Sequence, residues 1–403
     1  MEQPPELNLD ELIAQAEAGS AAAQFYVGLA YFLGMNVGVD QATAIGWWTR
    51  AAENGWTDAQ FMLGQCHQFG TGVTPDSTRA AHWYEKAAAG GHAQARINIA
   101  WMLLSGTGVG KDPARALEWL EAAAGDGSSD AAVALGRLYE EGVGAAKQPD
   151  RAMHWFRTAA EAGNAEAQYS LAVMYGEEGG PEHDDLLAAS WLEQSAHKDF
   201  RLAQYELGRR LLIGKGMPQD QQRAYEWLQK ASSGGFAPAD YYLGLMHAEG
   251  LGVERDPEAI ALHLVRAAEA GHLDAQLLLG MLYYSGTALS KDFIRAAHWL
   301  RLAAEQGATE AKLVLGLIYL NELQNPEEAF RWNRAAAEEG NPEAQFNLAY
   351  QYRQGLGTPA DQRAALQWYR ACHAHATGEL ADRAATAVAD LERATGGGGV
   401  RGA

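Results

Sequence analysis

Tryptophan recurs along this chain at a fixed interval. Trp47, Trp83, Trp119, Trp155, Trp191 and Trp227 are 36 residues apart, His263 takes the next place, and Trp299, Trp332 and Trp368 follow at intervals of 36, 33 and 36. Such a period makes the chain an array of small equal units, instead of the two or three globular domains that 403 residues would otherwise imply. Three residues before each ring position stands Ala44, Ala80, Ala116, Ala152, Ala188, Ala224, Ile260, Ala296, Ala329 or Ala365, and a small pair such as Ala51-Ala52 comes just after it. That spacing puts small residues and one large ring on a single helical face. Seven positions before the ring lies Asp40, Asp76, Asp112, Asp184, Asp220, Asp256, Asp292, Asn325 or Asp361, with Gln148 the departure. These read as N-caps, whose side-chain oxygens accept backbone N–H groups of the first turn. Pro113, Pro149, Pro257 and Pro326 follow at the favoured first helical position. Glycines such as Gly55, Gly91 and Gly127, eight residues after the ring, supply the left-handed stop.

A second amphipathic helix precedes this one in each unit. Ala59, Leu63, Gly64 and His67 correspond to Ala167, Leu171, Ala172 and Tyr175, a stripe at i, i+4, i+5 and i+8 whose small central residue permits close helix contact. It ends at Gly70-Thr-Gly72-Val, repeated as Gly106-Thr-Gly108-Val, Gly214-Lys-Gly216-Met and Gly250-Leu-Gly252-Val. Each unit is therefore a helical hairpin that cannot bury its stripe alone. The expected fold is all-α: a right-handed αα-hairpin solenoid of ten repeats over residues 20–376, stabilised by contacts between neighbours. The segment 1–19 is expected to cap the front and 377–395 to close the array as a polar helix. No internal boundary is expected, and the glycine-rich 396–403 is expected to be a disordered tail.

The pattern Ala-x-x-x-Leu-Gly-x-x-Tyr-x-x-Gly-x-Gly-Val, then Asp-x-x-x-Ala-x-x-Trp-x-x-x-Ala-Ala-x-x-Gly, resembles the Sel1-like repeat, a relative of the tetratricopeptide repeat. The resemblance covers all ten units and implies a non-enzymatic interaction scaffold. Members of that family serve as adaptors in protein degradation, as signalling regulators and as bacterial host-contact or assembly factors. A cysteine-rich bacterial branch staples each repeat with a disulfide. This chain has only Cys66 and Cys372, so that property does not carry over.

Net charge limits the partners. With 31 basic and 51 acidic residues the formal charge is −20, which opposes general binding to nucleic acid or anionic membrane and suits a protein partner with a basic surface. No basic leader, secretory apolar core or apolar run of membrane-spanning length is present, so a cytoplasmic location is expected.

Motifs that carry chemistry dissolve into the repeat. Ser105-Gly-Thr-Gly-Val-Gly110-Lys111-Asp112 resembles a phosphate loop, but it begins with serine, has Asp112 where a magnesium-binding hydroxyl belongs, and follows a helix. Most of the 12 histidines share repeat positions. Cys372, His373 and His375 sit at one helix end and do not converge on an ion, and the acidic loop Glu177 to Asp185 lacks the ligand order of an EF-hand. No cofactor, metal site or catalytic residue is expected. An enzyme site assembled across repeats, or an inhibitor or immunity-type protein capping a basic partner, are the alternatives.

Binding is expected on the concave side, which first helices line in solenoids. Six positions after the reference alanine the outward column reads Leu29, Gln65, Trp101, Arg137, Val173, Arg209, Leu245, Met281, Leu317 and Tyr350. Three positions earlier come Tyr26, Met62, Tyr242 and Leu278 among others. The candidate partner-binding set is Tyr26, Leu29, Met62, Gln65, Trp101, Arg137, Arg209, Tyr242, Leu245, Leu278, Met281, Leu317 and Tyr350, with Trp101 and Met281 as anchors. Soluble helices seldom expose so apolar a column without use for it. Packing between repeats would also account for it. The register tryptophans lie on the other helix and are expected in the core.

Overall fold

The computed structural model describes residues 9–144, 146–180 and 182–396. The expected tail, from residue 397 onward, and the first eight residues of the expected front cap lie outside them. Among the described residues there are helices and no strands. Ten hairpins follow one another, each with a first (A) and a second (B) helix. Repeat two, for example, pairs Thr57–Phe69 with Ser77–Ala89, and repeat three pairs Ala93–Ser105 with Pro113–Gly125. Leu9–Glu17 precedes the array and packs on the first A helix, while Gly378–Gly396 follows it and packs on the last B helix. The chain divides into two compact units, Met1–Phe200 with repeats one to five and Arg201–Ala403 with repeats six to ten. The division falls between two hairpins, where a stack of nearest-neighbour units can be parted.

Local chemistry sets the helix ends. Each of the nine Asp or Asn residues read as B-helix caps accepts a first-turn N–H, as Asp112 does from Arg115 at 3.1 Å, whereas Gln148 makes no such bond. The A helix of repeat three ends on Gly106 at φ +77°, with the N–H groups of Gly106 and Thr107 both donating to the Met102 carbonyl. Gly108 has a second duty: a Cβ there would collide with the backbone of Ser77, the start of the preceding repeat's B helix. The loop that resembles a phosphate cradle is thus a tight inter-repeat contact. In repeat nine the three missing residues come out of this loop, and the A helix, Thr309–Leu317, runs on into a π-helical turn, Ile318–Glu322, before Asn325 caps the next helix.

The core lies one position beyond the register ring. Trp48, Tyr84, Leu120, Phe156, Leu192, Leu228, Leu264, Leu300 and Tyr369 are the buried side chains, and each follows a register position. Of the register rings themselves only Trp227 and Trp332 are buried; the others, half-buried, lean on the core's edge. The expectation that these rings lie in the core holds for Trp227 and Trp332 and is corrected for the others, of which Trp47 and Trp83 carry a cation from one turn later over the ring, Arg50 and Lys86 respectively. Opposite each core ring the A helix is thinned to a small residue. A Cβ on Gly136 would stand 2.6 Å from the Phe156 ring, so glycine sets the closeness of the hairpin.

Buried glutamines tie one repeat to the next. Gln60 donates through Nε2 to the Ala52 carbonyl at 3.0 Å, and Gln24, Gln168, Gln276 and Gln345 make the same bond to a carbonyl eight residues earlier. Each adds a second donor to a carbonyl at the end of the preceding helix, which already accepts the N–H of the glycine three residues on. Arg96 does so through Nε in repeat three.

Candidate binding surfaces

In the first unit the outward column is accessible. Trp101 is 47% exposed, Arg137 is exposed and ion-paired to Glu166, and Tyr26, Leu29, Met62 and Gln65 are half-buried. Leu29 and Met62 also pack against the cluster around Trp48 and Leu63. Trp101 forms one wall of a crevice of about 230 Å³, with Gln68 from the previous A helix, Ser77, Asn98, Met102 and Thr107. Two residues of this surface escape the sequence reading: Leu33 and Phe69, 57% and 69% exposed, at the last position of their A helices. They stand four residues after Leu29 and Gln65, one turn along the same face, and carrying the column one turn further would have found them. Farther along the unit the same face turns acidic at Glu140, Glu141 and Glu177. Burial, with Glu141 and Glu177 nearby, raises the Glu140 carboxyl above its ordinary range, and Arg137 and Lys147 offset this only in part. Residues 1–200 carry 27 acidic and 11 basic side chains, a net of −16, against 24 and 20, a net of −4, in residues 201–403.

In the second unit the column is largely used internally. Leu278 and Met281 pack on the cluster that includes Leu279, Leu300 and Leu315, and Leu245 and Leu317 are half-buried. Tyr350 alone of the apolar members is well exposed, at 44%. Arg209 donates through Nε to the Tyr242 hydroxyl at 3.1 Å and through Nη1 to Glu206 at 2.7 Å, its guanidinium 5.8 Å from the rings of both Tyr205 and Tyr242. The group most suited to a ligand's carboxylate is therefore already held by its neighbours.

Repeat seven, which has His263 for tryptophan, replaces the buried glutamine with Asp240, 2% exposed. One carboxylate oxygen, Oδ1, accepts from Ser232 Oγ and faces His263 Nδ1, both at 2.8 Å, with Arg266 at 3.6 Å. The His263 ring lies parallel to that of His247, 6.1 Å away, and His247 Nε2 meets the Tyr225 hydroxyl at 3.3 Å. Ser232 donates to the acid and not to the imidazole, so the three do not form a nucleophile, base and orienting acid in line. Beside them, a pocket of about 460 Å³ opens between repeats seven and eight, lined by Ala248, Glu249, Arg255, Ile260, Leu282 and Thr287. Near the last repeat, His373 and His375 meet the Ala381 carbonyl and Gln345 separately.

Histidines at the shared position after a terminal glycine have a definite task. His92 and His272 cap their A helices, accepting at Nδ1 from Ala95 and Ala275 at 3.2 and 3.3 Å, and stack on Phe61 and Tyr241 of the preceding repeat. The accepting nitrogen must be unprotonated. Burial accordingly lowers the His92 pKa, against a smaller upward pull from Asp58.

The Sel1 repeat model matches this sequence ten times in succession, at residues 21–56, 57–92, 93–128, 129–164, 165–200, 201–236, 237–272, 273–307, 309–341 and 342–371. The chain belongs to the Sel1 repeat family. Among solved structures, this Sel1 repeat chain is similar to c5321, a protective antigen present in uropathogenic Escherichia coli strains displaying an SLR fold. The two are 32% identical over 97% of this chain and 83% of that one, with a TM-score of 0.81. A Sel1 repeat protein from Oxalobacter formigenes is 25% identical over 90% and 93% of the two chains, with a TM-score of 0.54. No curated protein matches. Sel1 repeat proteins are generally protein-interaction scaffolds. Among the described residues no helix is long and apolar enough to cross a membrane.

Proposed function

We propose that this Sel1 repeat chain is a bacterial, cytoplasmic adaptor or regulator without catalytic activity of its own, binding a partner protein along the concave face that its A helices line. The observation that carries this reading is the exposed apolar strip of the first unit, Leu33, Phe69 and Trp101, which the fold does not need for burial. Tyr26, Leu29, Met62, Gln65 and Arg137 border it. In the second unit Arg209, Tyr242, Leu245, Leu278, Met281, Leu317 and Tyr350 remain candidate contacts, of which Tyr350 is the most available. An inhibitor that caps a basic partner would use the same face, and the charge of −16 on residues 1–200 supports that form of the reading.

The test is affinity capture from extract of the source cells with wild type, Trp101→Ala and Met281→Ala. A protein retained by wild type and lost with Trp101→Ala, at unchanged melting temperature, supports the reading. If the same proteins are retained by all three, or if Trp101→Ala melts well below wild type, the ring serves packing and the proposal fails.

A further inference from the structure

We infer that the outward face of repeats one to five takes an amphipathic helix from a partner protein, with apolar side chains recurring every seven residues and a cluster of lysine or arginine at one end. This rests on the scaffold reading above and adds the chemistry of the partner. Leu33, Phe69 and Trp101 come from three successive A helices, Leu33 and Phe69 at the last helical position and Trp101 one turn earlier, so that each repeat offers one large exposed apolar side chain along a slanted strip. The crevice shared by Gln68 and Trp101 shows two of these helices flanking one groove. Neighbouring packed helices lie roughly 10 Å apart, and an α-helix advances about 10.5 Å in seven residues. A helix laid across the strip therefore offers one apolar side chain to each repeat. An extended strand presents same-face side chains about every 6.7 Å and falls out of step after the first contact.

Charge fixes the composition and the polarity. Beyond Trp101 the face continues into Glu140, Glu141 and Glu177; the cations acting on Glu140 are Arg137, already paired to Glu166, and Lys147. Desolvation first, and then the neighbouring Glu141 and Glu177, raise the Glu140 carboxyl, and an incoming cation would offset the repulsive part. The apolar end of the guest helix thus lies over repeats one to three and its basic end over repeats four and five. A second copy of this chain is a poor guest, because two faces within units of net −16 repel each other.

The experiment uses the full chain and a fluorescein-labelled synthetic helix of roughly four heptads, with leucine every seven residues and lysines in the last heptad, read by fluorescence anisotropy. Three counterparts replace lysine by glutamate, replace the leucines by serine, or place a proline mid-helix. The lysine helix is expected to bind, with its Kd raised about tenfold or more by Phe69→Ser/Trp101→Ser. Glu141→Gln/Glu177→Gln, and salt raised from about 50 to about 200 mM, should each weaken it several-fold. Circular dichroism checks that both variants keep the wild-type fold. Equal affinity for the glutamate or proline helix, unchanged Kd in the Phe69/Trp101 variant, or no binding of the lysine helix overturns the inference. A photo-crosslinker at Ser105 in the source cells separates this failure from that of the scaffold reading. A crosslinked partner segment that is neutral, acidic or non-helical removes the basic helix and leaves the scaffold. Absence of any Trp101-dependent partner removes both.

Discussion

The two units are built from the same hairpin and spend its outward column differently. In residues 1–200 the column and its extension leave Leu33, Phe69 and Trp101 exposed on a body of net −16. In residues 201–403 most of the column is absorbed: Met281 and Leu278 lean on the core, Arg209 is held by Tyr242 and Glu206, and repeat seven closes a polar knot around Asp240, while Ile213 and Tyr350 stay exposed one by one. A repeat position thus carries no fixed role. Whether it is free depends on what its neighbours in the next hairpin supply, because each repeat touches only those neighbours.

The largest expected effect is at the knot. Asp240→Ala leaves Ser232 and His263 without their shared acceptor and should cost about 3 kcal/mol, whereas Gln60→Ala, at the same repeat position in the first unit, should cost only about 1 kcal/mol. Urea titrations followed by circular dichroism measure both. The double variant Asp240→Gln/His263→Trp, which installs the residues most other repeats use, should recover most of the loss; if it does not, the knot is more than a local substitute. Gly136→Ala drives a methyl into the Phe156 ring and should cost about 2 kcal/mol in the same titration, since a well-packed hairpin resists overpacking. Trp101→Ala, by contrast, should shift stability by less than about 0.5 kcal/mol.

The smallest effect is a pH dependence belonging to the first unit. Burial lowers the pKa of both His67 and His92, with Arg79 adding to it at His67 and Asp58 opposing it at His92. Their folded pKa lies below the ordinary value of 6.5, so their contribution is complete above that value. It is lost as pH falls through the folded values, because the unfolded chain then binds protons that the buried His67 and the capping His92 exclude. His92→Asn keeps a capping oxygen and should flatten part of the acid-side fall in a plot of urea midpoint against pH. An unchanged slope would place the proton uptake elsewhere.

Much of this was legible from residue spacing alone. The tryptophan period gave the hairpin, the aspartates every unit gave the B-helix starts, and the glycines gave the stops, because each of these signals acts within one or two turns of its own residue. The outward column was legible as a direction, since 100° per residue fixes which positions share a face. Spacing does not say how deep a side chain sits. It therefore misplaced most of the register rings, one position short of the core residues Trp48 and Phe156, and stopped the exposed strip short of Leu33 and Phe69. The glutamine ties, the histidine caps and the meeting of Asp240 with His263 depend on where a second helix lies, and no single-helix period contains that information.

The contrast between the units is tested most directly by two variants in parallel, Leu33→Ser/Phe69→Ser/Trp101→Ser in the first and Tyr205→Ala/Tyr242→Ala in the second, each unfolded in urea and followed by circular dichroism. The account predicts that the first keeps the wild-type midpoint, since its side chains are exposed, and that the second falls by the equivalent of about 3 kcal/mol, since its rings pack on Arg209, Phe236 and each other. A first variant that unfolds as early as the second would show that the strip is core, and the binding surface proposed for it would not exist.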